Sequence, residues 1–406
     1  MPQQQSIFRS KSFWEKIAIY SICIVDLAYV IPSVAIAEMV LAFPGVARET
    51  IMMCISIPCL TALLGINLIP ALQSRFSLKK ISMAALLLSL CCGMLSLLCH
   101  NSLPVLLILS GVQGVPYGVF CTIYPLLTAA AFPEGPERAK TIANCVAMVQ
   151  IGRLVLLYFG GLLADIAWYL MYLMFALNGV AFLLILFCLP DRGIAPPKKK
   201  GSAGCYAQLL KSPSFLYFGI TAGVFLMFYY VFSTHGSLYI QGYNLGDPST
   251  TGTSNAIASI LSVFTALLST KVYRYTRRYT TALAFLGMGL GLLMPGTTKA
   301  VWAFIASMAI ASIVKSQQMP AVARTLAHIE DERMRASAMA LKETFVNICY
   351  FISGTVTSAL SRWFGDGSPQ TVFLICAIGT LLIGAAMVCV EAYRDKKGLP
   401  VLSIKE

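Results

Sequence analysis

The residues best placed to do chemistry in this chain are the few ionisable ones embedded in otherwise apolar stretches: Asp26, Arg153, Lys315, Lys342 and Glu343. Placing a charge at that depth in lipid costs about 2.5–3.5 kcal/mol on insertion scales, so such groups face a partner or a watery cavity. Asp26 stands six residues before Pro32, a helix-distorting residue; it reads as a proton- or cation-binding carboxylate, or as half of a structural ion pair. Arg153 follows Gly152. Its guanidinium holds its charge and forks toward carboxylate or phosphate, so it suits an anionic ligand or serves as the standing partner of Asp26. Lys315 opens a polar run with Ser316, Gln317 and Gln318; the plainer alternative pairs it with Glu343. Lys342 can snorkel to the interface, and Glu343 shares a helix face with Asn347. Gln113 and Tyr117, also four apart, and Tyr229, Tyr230, Thr234 and His235 make apolar walls with a few polar groups, the composition of an organic-ligand site; the plainer reading of each is aromatic packing or an interfacial side chain. Glu38 and Asp165, near span ends, read as interfacial charges.

The elements that position these residues are membrane spans. The chain is 58% hydrophobic and only 12% charged, with a mean hydropathy of +0.76, against roughly a quarter charged in soluble domains. The pattern predicts twelve helices near 17–41, 50–72, 81–100, 104–131, 141–163, 168–189, 214–240, 252–272, 280–297, 300–322, 337–361 and 370–391. Helices are required because lipid offers backbone groups no partner and these runs are too long for barrel strands. The first apolar segment is too long for a signal peptide and lacks its cleavage pattern.

Charge sets the expected orientation. Of the 30 Lys and Arg, 24 fall at the termini or in the even-numbered loops; only Arg48, Lys299 and Arg362 fall in the odd-numbered ones. Both termini are therefore expected in the cytoplasm of a multi-pass cytoplasmic-membrane protein. The same bias accounts for the net charge of +13 without nucleic acid, since no basic stretch is interleaved with base-stacking aromatics. Of the thirteen cysteines only Cys205 lies in a clearly polar stretch, and three scattered histidines complete no zinc pattern. No metal or other cofactor is expected. Phosphate-loop, nucleophile-elbow and zinc-protease signatures are missing, so neither an ATP-driven pump nor an enzyme is expected.

The longest polar interval, Pro190 to Pro213, carries Lys198, Lys199 and Lys200 among prolines and glycines. It divides the chain into a six-helix bundle over 1–190, a basic cytoplasmic linker over 191–213 and a second six-helix bundle over 214–406. An internal repeat agrees. Arg75-Phe76-Ser77-Leu78-Lys79 recurs as Arg274-Tyr275-Thr276-Arg277-Arg278, and Glu137-Arg138-Ala139-Lys140 as Glu332-Arg333-Met334-Arg335, at offsets of 199 and 195 residues.

In this combination the chain resembles the major facilitator superfamily of secondary transporters. The resemblance implies an all-α membrane fold of two pseudo-symmetric bundles and a midplane site opened alternately to each side. It also implies that spans 1, 4, 7 and 10 line the cavity, which adds weight to Lys315 and Gln317. The family's loop after span 2 usually reads Gly-x-x-x-Asp-Arg-x-Gly-Arg-Lys-Arg and acts as a latch. Here Pro70, Ser74 and Ser77 replace the first glycine, the aspartate and the second glycine, while Arg75, Lys79 and Lys80 remain. The span-4 pattern Arg-x-x-Gln-Gly becomes Ser110-Gly111-Val112-Gln113-Gly114, without the arginine linked to proton coupling. The span-5 antiporter pattern keeps Gly152, Gly160 and Gly161 but has Leu156 and Leu157 in place of Gly-Pro.

The expectation is a monomeric secondary transporter for a small organic anion, a carboxylate for preference, coupled to protons or to a counter-substrate. Arg153, Lys315, Gln113, Tyr117, Tyr229, Tyr230, His235, Gln317 and Asn347 are expected at the substrate, Asp26 and Glu343 at coupling. Membrane lipids are the other partner expected. A drug–proton antiporter for lipophilic cations, with Asp26 taking the proton, is the alternative. A receptor or intramembrane enzyme would need an accessory domain or a catalytic constellation, and neither is visible.

Overall fold

The computed structural model describes residues 2–133, 135–193, 203–327 and 332–397, with side chains described from Phe13 onward except at scattered positions, chiefly within 203–206 and 320–336. The linker residues 194–202, including the three lysines, and the loop at 328–331 lie outside the described residues, as do the side chains of Arg333 and Arg335. Among the described residues every regular element is helical. The chain divides into two compact units, one of residues 1–35 and 53–198, the other of 36–52 and 199–406.

In the first unit α1 (Pro2–Val25) ends mid-span and a 3-10 stretch follows over Ala28–Val34. The sequence pattern had one continuous helix there. Pro32 explains the difference: it has no N–H to continue the α-helical ladder, and the chain takes the tighter bonds Val30 N to Leu27 O (3.1 Å) and Ala35 N to Pro32 O (3.2 Å). The unit continues through α3 (Arg48–Gln73), whose first turns to Met52 belong to the second unit, then α4 (Leu78–Leu98), α5 (Leu103–Ala131) and α6 (Pro136–Ile166). A 3-10 stretch over Trp168–Phe175 then leads into α7 (Ala176–Cys188). Prolines at the first turns of α5 and α6 fit where no helical N–H is needed. Ile19, Ile22, Leu86, Phe120, Ile123, Cys145 and Ile185 form the core. Asn144 Nδ2 donates to the Tyr20 hydroxyl at 3.1 Å, tying α6 to α1.

The second unit begins with α2 (Ile36–Ala42), contributed by the first half of the chain. The Ala37 amide donates to Ser237 Oγ at 3.2 Å, which seats α2 on α9 (Pro213–Gly242). A short helix, α8 (Ala203–Lys211), precedes α9 inside the stretch read as linker. Ser212 caps α9 by accepting from the Phe215 amide at 3.4 Å. Then come α10 (Pro248–Thr276), α11 (Thr280–Thr297), α12 (Val301–Ala327), α13 (Glu332–Phe364) and α14 (Pro369–Lys396). Aromatic side chains fill the core: Tyr239 stacks on Phe304 at 5.7 Å, and Phe232 and Phe373 close the group. The Tyr239 hydroxyl is satisfied by the Thr298 carbonyl, as burial of a phenol requires.

Nine helical segments among the described residues are long and apolar enough to cross a membrane. Large apolar side chains such as Leu64, Phe187 and Leu382 are more than 60% exposed on them, surface that only lipid can cover. The long helices outside that set, α10, α12 and α13, carry Ser/Thr-rich faces or the in-span residues Lys315 and Glu343. They are the polar helices of the second unit.

Candidate functional site

In the first unit the break in span 1 creates the site. Asp26 lies between the end of α1 and the 3-10 stretch, 5% exposed. The Cys121 thiol of α5 donates to its carboxylate, 3.5 Å from Oδ1 and 3.9 Å from Oδ2. Broken helices at depth recur at transporter sites because unwound backbone exposes polar groups there. Arg153, on α6, is 7% exposed. The preceding Gly152 lets α6 meet α1: a Cβ there would stand 2.0 Å from the Ile24 carbonyl oxygen. Tyr117 packs against Tyr29 of the 3-10 stretch with ring centroids 4.2 Å apart and the rings tilted by 35°. Gln113 turns elsewhere. Its Nε2 donates to Ser89 Oγ of α4 at 2.6 Å, and it borders a void of about 10 Å³ with Tyr29, Pro32 and Cys54. That is packing between helices, with no room for a solute.

In the second unit Lys315 of α12 stands over the ring of Tyr229 of α9, Nζ 4.2 Å from the centroid. The Tyr229 hydroxyl lies 3.3 Å from Ser312 Oγ. Ammonium over an aromatic face is a cation–π contact, stronger when desolvated. Beside it, Gln317 Nε2 donates to the Thr265 carbonyl of α10 at 2.7 Å, and Ser316 Oγ lies 2.7 Å from Thr265 Oγ1. Gln318 is fully buried, and neither end of its carboxamide has a hydrogen-bond partner. Tyr230 packs against Tyr350 of α13, ring centroids 4.6 Å apart and tilted by 32°. Asn347 Nδ2 donates back to the Glu343 carbonyl at 2.9 Å, leaving its buried Oδ1 unpartnered. Glu343 is half-exposed and pairs with the adjacent Lys342 at 2.5 Å. His235 lies at the far end of α9 from Ser212, with Nδ1 2.9 Å from Thr234 Oγ1 and Nε2 3.1 Å from Ser358 Oγ.

The latch-loop residues are spread over the end of the first unit. Lys79 Nζ donates to the Leu186 carbonyl at 2.7 Å; Arg75 and Lys80 are exposed. A carboxylate stands beside them from outside the motif. The side chain of Ser77 facing Asp191 and the Gly193 amide at 3.1 Å hold the Asp191 carboxyl below its ordinary range, with Lys80 and Lys79 adding a weaker pull. Its position beyond span 6, more than a hundred residues from the loop, hid it from motif reading. Gln241, a lone amide near a helix end, was left unassigned by the sequence reading, and Gln318 was named there only as part of the Lys315 run.

Among the described residues no group of His, Cys, Asp or Glu could hold a metal ion. Two helical units of membrane-spanning helices, with charged and amide groups seated at depth in each, define a multi-pass membrane protein. The sequence profile of the Major Facilitator Superfamily matches residues 18–293 and 272–403, and the chain belongs to that superfamily. No curated protein matches it. Among solved structures it is similar to the crystal structure of the nucleoside transporter NupG, solved as a point mutant, with a TM-score of 0.71 and 15% identity over 93% of this chain and 99% of that one. Likeness at that identity concerns the fold. The protein is a transporter, not an enzyme.

Proposed function

We propose that this transporter moves a small organic anion, most simply a carboxylate, by alternating access, coupled to protons or to exchange. The observation that carries the reading is Lys315: an ammonium within a span, set on the Tyr229 ring at 4.2 Å and followed by amide side chains. A cation held at depth is costly unless something anionic or aromatic meets it. Gln318, with an unmatched buried carboxamide next to it, supplies a donor and an acceptor for the rest of a solute. Arg153, buried on α6 of the first unit, is proposed as an anion-binding cation in its own right. Asp26, buried at the break in span 1, takes the coupling proton. Glu343 is left out of coupling because Lys342 occupies it. The chain acts as a monomer in the cytoplasmic membrane with both termini inside. Cysteine-accessibility labelling at Lys299 and Arg394 positions tests that orientation, which requires label to reach position 299 from outside only.

Uptake of labelled organic anions into proteoliposomes tests the reading. Transport that disappears in Lys315→Gln and persists in Gln113→Ala supports it; anion transport indifferent to Lys315→Gln defeats it. Asp26 also favours the drug–proton antiporter as a second reading, because a carboxylate buried at a helix break suits a lipophilic cation as well as a proton. Proton-driven efflux of such cations, lost in Asp26→Asn, would select it. Nucleosides, named for the NupG fold relative, belong in the same panel.

A further inference from the structure

One end of the second unit holds two adjoining cavities, of about 400 and 500 Å³. They share Arg48, Leu238, Asp366, Gly367 and Pro369 as lining. Both volumes lie in the range of small-molecule sites, about 300–1,000 Å³. His235 and Ser358, bonded at 3.1 Å, border the first, and Gln241 and Tyr243 the second.

The charges sort into satisfied and unsatisfied. Arg362 is neutralised by Glu49 at 2.9 Å. Lys299 stands against the Tyr243 ring at 4.5 Å and does not line either cavity. Arg48 has no carboxylate partner among the described residues, and it does not pair with Asp366 although both line both cavities. Asp366 uses Oδ1 to accept from the Ser368 amide at 2.9 Å and the Thr371 hydroxyl at 2.5 Å; the Thr371 hydroxyl and Ser368 hold its carboxyl at a pKa of about 2. It therefore stays charged, with Oδ2 turned to neither cap. Gln241 adds an independent sign of a missing ligand: both Nε2 and Oε1 are buried and neither has a hydrogen-bond partner. Leaving a buried amide unmatched costs about 1–3 kcal/mol per group, and Gln241 borders the second cavity.

We infer that this end of the second unit is a second binding site, for a small zwitterion such as an ω-amino acid, with its carboxylate on Arg48, its ammonium toward Asp366 and Gln241 completing its hydrogen bonds. A simple anion would meet Arg48 but also the standing charge of Asp366; a simple cation would meet the reverse. A solute carrying both charges satisfies both walls. The site is separate from Lys315 and does not depend on the anion reading.

Equilibrium dialysis on the full-length protein in lipid nanodiscs tests this, with radiolabelled γ-aminobutyrate against butyrate and butylamine as single-charge probes. The expected result is saturable γ-aminobutyrate binding at least about tenfold tighter than either probe (about 1.4 kcal/mol), weakened about tenfold or more in Arg48→Gln and in Gln241→Leu. Arg48 is exposed and Gln241 has no bonds to lose, so both variants fold; Asp366→Asn also removes a cap of α14 and serves only as support. Binding must survive Lys315→Gln. Absence of saturable γ-aminobutyrate binding, equal affinity for butyrate, or indifference to Arg48→Gln overturns the inference. Binding lost in Lys315→Gln and kept in Arg48→Gln also overturns it, while leaving the anion reading intact.

Discussion

Gly152→Ala is the substitution whose consequence the packing fixes most closely. The added Cβ would lie 2.0 Å from the Ile24 carbonyl oxygen and 2.6 Å from its carbon and Cα. All three are backbone atoms of α1, so no rotamer change relieves the clash. Optimal separations between such atoms are about 3.5–4.0 Å, so α1 must retreat by more than about 1 Å. Overpacking of this kind costs about 1–3 kcal/mol, and a backbone neighbour puts it in the upper half. At about 2–4 °C per kcal/mol for a unit of 150–250 residues, the melting midpoint should fall by about 4–12 °C. The displaced carbonyl lies two residues before Asp26, so transport should fall as well. Gly160→Ala is the internal control. It belongs to the same glycine pattern in α6, but its Cβ would make only ordinary contacts, 3.7 Å from Ile31 and 3.8 Å from Met174, and its effect should stay within about 0.5 kcal/mol. Thermal unfolding of the two variants side by side, with uptake measured on each, is the assay. Equal midpoints and equal uptake would refute the close approach of α1 and α6.

Three further outcomes are expected. Arg362→Gln breaks an ion pair whose arginine is 57% exposed; such pairs contribute about 0–1 kcal/mol, so the melting midpoint should move little, and a large drop would show the pair to be structural. The folded Asp366 carboxyl titrates near 2, below its ordinary value of 3.8, so its caps are intact above pH 3.8 and lost as pH falls through about 2; the melting midpoint of Asp366→Asn should therefore differ from the parent's by the same amount at pH 5 and pH 8, and a difference that shrinks toward pH 5 would contradict this. Tyr229→Leu removes a cation–π contact of about 0.5–2 kcal/mol from Lys315 and should weaken the apparent affinity for transported anions roughly two- to thirtyfold in uptake assays, whereas Tyr229→Phe should change it little.

The apolar lengths and the alternation of basic loops were enough to read the helical membrane fold, because lipid leaves so few alternatives for a polar backbone. What escaped was local and depended on neighbours. Pro32 was visible as a distortion, yet its effect, a span broken at Asp26, follows from bonds the sequence does not display. Gln113 had the right type and spacing for a ligand group, but Ser89, 24 residues earlier, takes its amide. Lys315 was legible as a charge out of place; its partner was not, since Tyr229 is on another helix and Glu343, the carboxylate proposed for it, is paired with Lys342 beside it. Arg48 entered the sequence reading only in the count of basic residues, and Asp366 not at all. Only the folding of the 36–52 segment into the second unit brings them to the same cavities.

The measurement that bears most directly on the transport reading is uptake of labelled carboxylates into proteoliposomes holding the wild-type protein or Lys315→Gln. The expected result is saturable, protein-dependent uptake of at least one carboxylate, reduced tenfold or more by Lys315→Gln at matched protein content. Saturable uptake of lipophilic cations or nucleosides alone, unchanged by Lys315→Gln, would contradict it and make the ammonium on Tyr229 a structural contact.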